Sequence, residues 1–319
     1  MNKHDIPSPG GNHSSPVPDL SVDIAGVRLK NPVIAASGTF GYGREYQDLI
    51  DVAELGAICT KGLTLHPRPG NRGIRLQETA AGLINSIGLE NPGIPAFIEK
   101  ELPQLRRLGP AVIANLSGSS IEEYVEGARL LSASDIDMIE LNISCPNVKA
   151  GGMAFGLCPP DAAAVTAAVR QVCTKPLMVK LSPNAPDVVA VGKACVEAGA
   201  DALSLVNTFK ALAIDIHQRR PVFEHITAGL SGPAIKPIAL RMVWELCGAV
   251  SVPVIGLGGI ASPEDALEFL LAGARAIQVG TAIFSRPPVL HEIIEGIREY
   301  MDHHDFTRIE QLSIRPNYA

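Results

Sequence analysis

Residues 252–281 read VPVIGLGGIASPEDALEFLLAGARAIQVGT, and this stretch decides the fold. Its first five residues, 252–256, make a short apolar run, and a glycine-rich turn follows. Ser262-Pro263-Glu264-Asp265 then supplies a helix start. It offers a hydroxyl to cap free backbone N–H groups, a proline where no N–H is needed, and early acids. A helical pattern covers 264–272, and a second apolar run at 276–279 closes in Gly280-Thr281. Continuous apolar runs of this length suit parallel strands buried on both faces. The unit is strand, helix, strand.

The same rhythm runs back through the chain. Apolar runs fall at 32–36, 57–60, 111–115, 138–142, 177–180 and 202–206, which with the two above makes eight. Helical patterns lie between them, notably at 121–132, 161–173, 187–198 and 234–247. Eight β–α alternations predict a (β/α)8 TIM barrel, an α/β fold, with a doubly wound open sheet as the alternative. Two connections, 61–97 and 208–232, are too long for plain turns and read as functional lids or binding loops. Both follow strand C-termini, the face on which barrel active sites sit.

The chain has 319 residues, which at roughly 150 per domain suggests about two domains, yet a barrel fills about 250 residues as one. We therefore expect a loose Pro/Gly-rich tail over 1–18 and a single barrel domain over 19–319. Hydrophobic residues at 46% rule out general disorder. Lys and Arg number 27 against 33 Asp and Glu, a net charge of −6, and aromatics are 4%. That balance argues against nucleic acid, which asks for a basic face and stacking rings. An acidic excess of this size is otherwise an ordinary soluble surface. No run of 18 apolar residues predicts a membrane span, and the first 18 residues lack the apolar core of a signal peptide. Six cysteines (Cys59, Cys145, Cys158, Cys173, Cys195 and Cys247) form no C-x-x-C pair. Reduced thiols, a cytoplasmic protein and no bound metal are the expectation.

The residues at the strand ends carry the chemistry. They are Ser37-Gly38, Thr60-Lys61-Gly62, Asn115, Asn142 through Asn147, Lys180, Asn207-Thr208, Gly258-Gly259 and Gly280-Thr281. Asn115, Asn142 and Asn207 with two lysines, and no carboxylate among the strand-end residues, do not make a hydrolase, which wants paired acids, a metal or a Ser–His arrangement. Amides both donate and accept, so they suit a flat ring of alternating C=O and N–H groups, a flavin or a pyrimidine. Glycines after strands seven and eight suit a phosphate held by backbone N–H groups. Gly256-x-Gly258-x-x-Ala261 also fits a dinucleotide fingerprint, but the next strand ends in Gln278-Val279 rather than an acid, so that reading fails.

Lys61 and Lys180 each place a cation at the end of a buried strand. A lone lysine there often just snorkels to water. Set among amides, the pair instead suggests stabilisation of negative charge on a reduced flavin, worth gross up to roughly 4 kcal/mol at about 4 Å. A lone cysteine is more often a small hydrophobe. Cys145, between Ser144 and Asn147 in a polar strand-end loop, is better placed to act as a base once a nearby lysine favours its thiolate. No histidine lies at a strand end to pair with it; His66, His217, His225 and His291 read as loop or surface residues.

Several of these segments, taken in order, resemble one family. Asn85-Ser86-Ile87-Gly88-Leu89-Glu90-Asn91-Pro92-Gly93 and Glu140-Leu141-Asn142-Ile143-Ser144-Cys145-Pro146-Asn147 are similar to dihydroorotate dehydrogenases. So are Val206-Asn207-Thr208, Gly229-Leu230-Ser231-Gly232-Pro233 and Gly258-Gly259. The resemblance implies an FMN-containing barrel that oxidises dihydroorotate to orotate in pyrimidine biosynthesis. It implies FMN contacts from Ser37, Lys61, Gly62, Asn115, Asn142, Lys180, Val206, Gly232, Gly258, Gly259, Gly280 and Thr281. Lys61, Asn85, Ser86, Ile87, Gly88, Leu89, Asn142, Asn207 and Thr208 would hold the substrate. Cys145 would take the C5 proton while C6 delivers hydride to N5 of FMN.

Within the family, the surroundings of Lys61 and the Gly-Leu-Ser-Gly-Pro segment look like the NAD-linked class 1B catalytic subunit. That class implies a partner subunit carrying FAD and a [2Fe–2S] cluster, in a heterotetramer of two catalytic and two electron-transfer subunits. A fumarate-linked class 1A homodimer is the alternative, and a non-redox phosphate-binding barrel a more distant one. Arg68, Arg72 and Arg75, in the first long loop, are either a solvated face or part of a partner surface.

Overall fold

The computed structural model describes residues 17–144 and 155–315. Eight parallel strands close into a barrel: β1 (Val33–Ala35), β2 (Ala57–Cys59), β3 (Ala111–Leu116), β4 (Met138–Asn142), β5 (Leu177–Lys180), β6 (Ala202–Leu205), β7 (Val254–Leu257) and β8 (Ala276–Val279). Each pairs with its neighbours in chain order, and the ring shuts where Ile277 lies opposite Val33. Nearly every strand residue is buried, as strands covered on both faces require. This is the (β/α)8 barrel expected from the alternation, and the open sheet is excluded by ring closure.

Helices form the outer layer. The helix Pro263–Leu271 starts as its sequence dictates, the Ser262 hydroxyl accepting from the Asp265 N–H at 3.3 Å. Ser120 and Asp187 cap Ile121–Ser132 and Val188–Glu197 in the same way. The helix after β4 runs Pro159–Arg170, two residues earlier than the pattern suggested, because prolines at the first helical positions sacrifice no hydrogen bond. The helix after β6 is Lys236–Cys247, entered through a tighter turn at Pro233–Ile235. The last, Val289–His303, buries Val289, Leu290, Ile293, Ile294, Ile297 and Met301, a stripe at helical spacing against the barrel. Among the described residues no helix is long and apolar enough to cross a membrane.

An antiparallel hairpin, Val22–Ile24 with Val27–Leu29, adds Val22, Ile24 and Leu29 to the same core cluster. Asp19 bridges to Arg308.

The two long connections are not separate lids. Leu76–Thr79 and Gly82–Asn85, from the loop after β2, pair as a hairpin. Thr227–Ser231 and Phe209–Leu212, from the loop after β6, pair as another. Gly82–Asn85 then pairs antiparallel with Thr227–Ser231, so four strands make one sheet, a roof on the barrel mouth.

Candidate active site

Between roof and barrel lies a cavity of about 900 Å³. Every described residue that the resemblance assigned to FMN or substrate reaches its wall. Ser37, Lys61, Gly62, Asn115, Asn142, Lys180, Val206, Gly258, Gly259, Gly280 and Thr281 line it from the strand ends, and Gly232, Asn207 and Thr208 from the loop after β6. Asn85, Ser86, Ile87, Gly88 and Leu89 line it from the roof. Cys145 lies outside the described residues, as does the 145–154 segment it opens.

The floor holds a group that strand-end reading missed. Glu140 sits two residues before Asn142 on β4 and therefore on the same inward face. Its carboxylate is fully buried and accepts from five side chains. Oε1 takes hydrogen bonds from Ser204 Oγ at 2.8 Å and Gln278 Nε2 at 2.7 Å. Oε2 takes them from Asn115 Nδ2 at 2.6 Å, Cys59 Sγ at 3.2 Å and the Lys180 ammonium at 3.5 Å. Burial works to raise the Glu140 pKa, but the Lys180 charge and the bonds from Gln278, Cys59 and Ser204 outweigh it and hold the carboxyl below its usual range. Cys59 moves the other way. Burial, and the adjacent Glu140 charge, push its thiol well above its ordinary value. The available signal for Glu140 was one carboxylate inside an otherwise apolar run.

Above this carboxylate the amides form a ladder. Asn142 Nδ2 donates to Asn115 Oδ1 at 3.3 Å, and Ser144 Oγ donates to Asn142 Oδ1 at 2.8 Å. Asn207 Nδ2 donates to Asn142 Oδ1 at 3.4 Å and also to Ser144 Oγ. Lys180 Nζ reaches Ser37 Oγ at 3.3 Å. The ammonium of Lys61, a half-buried residue just beyond the end of β2, makes no hydrogen bond or ion pair with a described residue, so its charge is available to an anion in the cavity.

Two asparagines, Asn71 half-buried and Asn91 buried, hold the Asn85–Leu89 segment. Asn71 Nδ2 donates to the Ser86 backbone oxygen at 3.1 Å and to Ser86 Oγ at 2.9 Å. Asn91 Nδ2 donates to the Leu89 oxygen at 2.7 Å, while its Oδ1 accepts from the Thr64 and Gly93 N–H groups. Of the three loop arginines, Arg75 pairs with Glu90 at 2.6 Å and Arg68 donates to Ser119 Oγ at 2.5 Å. Arg72 is exposed. Glu90 is held below the usual carboxylate range by its bond from Arg75 and by the Lys61 charge.

The turn after β7 leaves no room for side chains. Gly259 has φ +79, and a Cβ there would stand 2.8 Å from the Lys236 nitrogen and 2.9 Å from the Gly232 oxygen. The amides of Gly259, Gly280 and Thr281 donate to no described residue, which leaves them free for an anionic oxygen.

Fold and site together define a barrel enzyme whose mouth is furnished for a flat, amide-rich ring and a phosphate. Comparison with known proteins specifies which. Residues 19–301 match the family model described as dihydroorotate dehydrogenase. The chain is 58% identical over 294 residues to "Dihydroorotate dehydrogenase B (NAD(+)), catalytic subunit" of Petrotoga mobilis, covering 92% of this chain and 98% of that one. Proteins of the same name from Pelobacter propionicus and Alkaliphilus metalliredigens are 54% and 50% identical, covering 92% of this chain and 97% of each relative. The chain belongs to the dihydroorotate dehydrogenase family. The relatives' designation as catalytic subunits implies a separate subunit beside them.

Proposed function

We propose that this chain oxidises dihydroorotate to orotate with FMN, and that the electrons pass to NAD+ through a partner subunit. The observation that carries this reading is identity of 58% across nearly all of an NAD-linked catalytic subunit, in a chain whose described candidate residues share one cavity. The wall fits FMN: the side-chain-free turn at Gly258-Gly259 and the free amides of Gly280 and Thr281 suit its phosphate. Ser37, Gly62, Asn115, Lys180, Val206 and Gly232 would border its ring and chain. Bound FMN supplies the hydride acceptor.

The protein's own groups do the rest. Asn142, Asn207 and Thr208, with Asn85 through Leu89 from the roof, hold the pyrimidine flat so that reacting atoms lie about 3–3.5 Å apart. Lys61 offers its free ammonium to the substrate's carboxylate. Cys145 takes the C5 proton. Lys180 supplies positive charge beside the ring on which negative charge develops. The roof excludes water from these steps.

The finer assembly belongs to the same proposal. The partner carries FAD and a [2Fe–2S] cluster, two copies of each subunit form a heterotetramer, and the complex works in the cytoplasm. Purified chain should be yellow, and dihydroorotate added without oxygen should bleach its flavin absorbance. NAD+ should then be reduced only once the partner is present. A colourless chain that takes up no FMN, or direct turnover with fumarate, would reject the reading.

A further inference from the structure

We propose that Glu140 is a positioning residue, whose sealed carboxylate fixes the charge of Lys180 and the direction of the Asn115 and Gln278 amides at the cavity. The inference rests on the flavin reading above.

An ionised carboxylate only accepts hydrogen bonds, so each neighbour must turn a donor toward it. Its donors come from β2, β3, β5, β6 and β8, and Glu140 itself belongs to β4. With Asn115 Nδ2 committed to Glu140, Asn115 Oδ1 is left for Asn142 Nδ2. Asn142 Oδ1 is then the acceptor for Ser144 and Asn207. One buried charge therefore sets the donor and acceptor order of the whole ladder. Gln278 follows the same logic. Its Nε2 is spent on Glu140, and its buried Oε1 has no partner among the described residues. That oxygen is an acceptor for an N–H or hydroxyl of the bound cofactor.

Lys180 has a 4% exposed side chain and an ammonium 3.5 Å from Glu140. Glu140 is its one carboxylate partner among the described residues, so removing that charge leaves the ammonium without an ion pair. Among the described residues, the other titratable groups around it are the Cys59 thiol on β2, neutral through burial, and Lys61 on the same cavity wall. Neither can replace the negative charge.

The test begins with the unaltered protein: absence of bound flavin there rejects the functional reading before Glu140 is examined. In a flavin-loaded background, Glu140→Gln removes the charge while keeping the shape. Circular dichroism should remain native, and the FMN dissociation constant, from fluorescence titration of the apoprotein, should rise roughly tenfold or more. Anaerobic flavin reduction by dihydroorotate should slow roughly tenfold or more in E140Q. Glu140→Asp keeps the charge and should recover most of the FMN affinity and rate that E140Q loses. An E140Q protein with unaltered FMN affinity, or an E140D protein that loses as much as E140Q, overturns the proposal. Should E140Q not fold, E140D decides: FMN affinity close to that of the unaltered protein supports the proposal, and a loss of roughly tenfold or more overturns it.

Discussion

The side-chain amide of Asn85 donates to the backbone oxygen of Gly229 at 3.1 Å, joining segments 144 residues apart. The same two residues are partners in the roof sheet. One side chain thus ties the substrate-facing segment of one loop to the strand contributed by the other. Asn85→Ala leaves the backbone ladder in place but frees that segment. A hydrogen bond is worth about 1 kcal/mol net, so KM for dihydroorotate should rise about fivefold with little change in melting temperature. Steady-state kinetics beside a thermal melt separates the two effects; an unchanged KM discards the assignment of Asn85 to the substrate.

Gly259→Ala attacks the proposed phosphate cradle. The alanine must accept φ near +79 and find room beside Lys236 and Gly232. Strain of about 1–3 kcal/mol concentrated at this turn should yield folded protein poor in FMN. The ratio of visible to ultraviolet absorbance reads this directly, and a fully loaded G259A protein would remove the turn from the cofactor site.

Cys145→Ala should bind FMN and dihydroorotate as before and reduce the flavin about 10²- to 10⁴-fold more slowly, the usual worth of a placed general base. Rapid mixing without oxygen measures that step alone. A variant keeping its full rate at every pH excludes Cys145 as the base.

The thiols of Cys59 and Cys195, which are buried, and of Cys247, which is half-buried, should be silent in the folded protein. Burial pushes Cys195 up to about 11 and Cys247 up to about 12, and Cys59 well above its ordinary value of 9.0. At pH 8 a thiol reagent should leave all three untouched until denaturant is added. Because a folded pKa is raised in each case, the associated stability is complete below about 9 and declines as pH climbs toward the folded values. Melting temperature should therefore fall above pH 9, and less so in Cys195→Ala protein.

The barrel was legible because each strand is buried on both faces and announces itself as a local apolar run, from 32–36 to 276–279. Cap chemistry at Ser262 was legible for the same local reason. The roof was not. Leu76–Thr79 reads L-Q-E-T, largely exposed and without alternation, and its neighbour Gly82–Asn85 finds its second partner far along the chain. No window of sequence contains that pairing. The cavity residues on the barrel strands were found by asking where strands end, whereas Asn85 through Leu89 and Gly232 came only from the family resemblance. Glu140 escaped the same question because it lies one inward position deeper, and five partners from five other strands complete its surroundings.

The roof joins the loops of β2 and β6, which stand four places apart in a ring of eight, on opposite sides of the mouth. It behaves as a tie beam across a diameter. Lengthening either loop by one residue within its paired stretch would turn that strand's own side chains beyond the insertion to the opposite surface. A change of register in one loop therefore calls for a matching change in the other, so the span is a single part encoded by two distant stretches of chain.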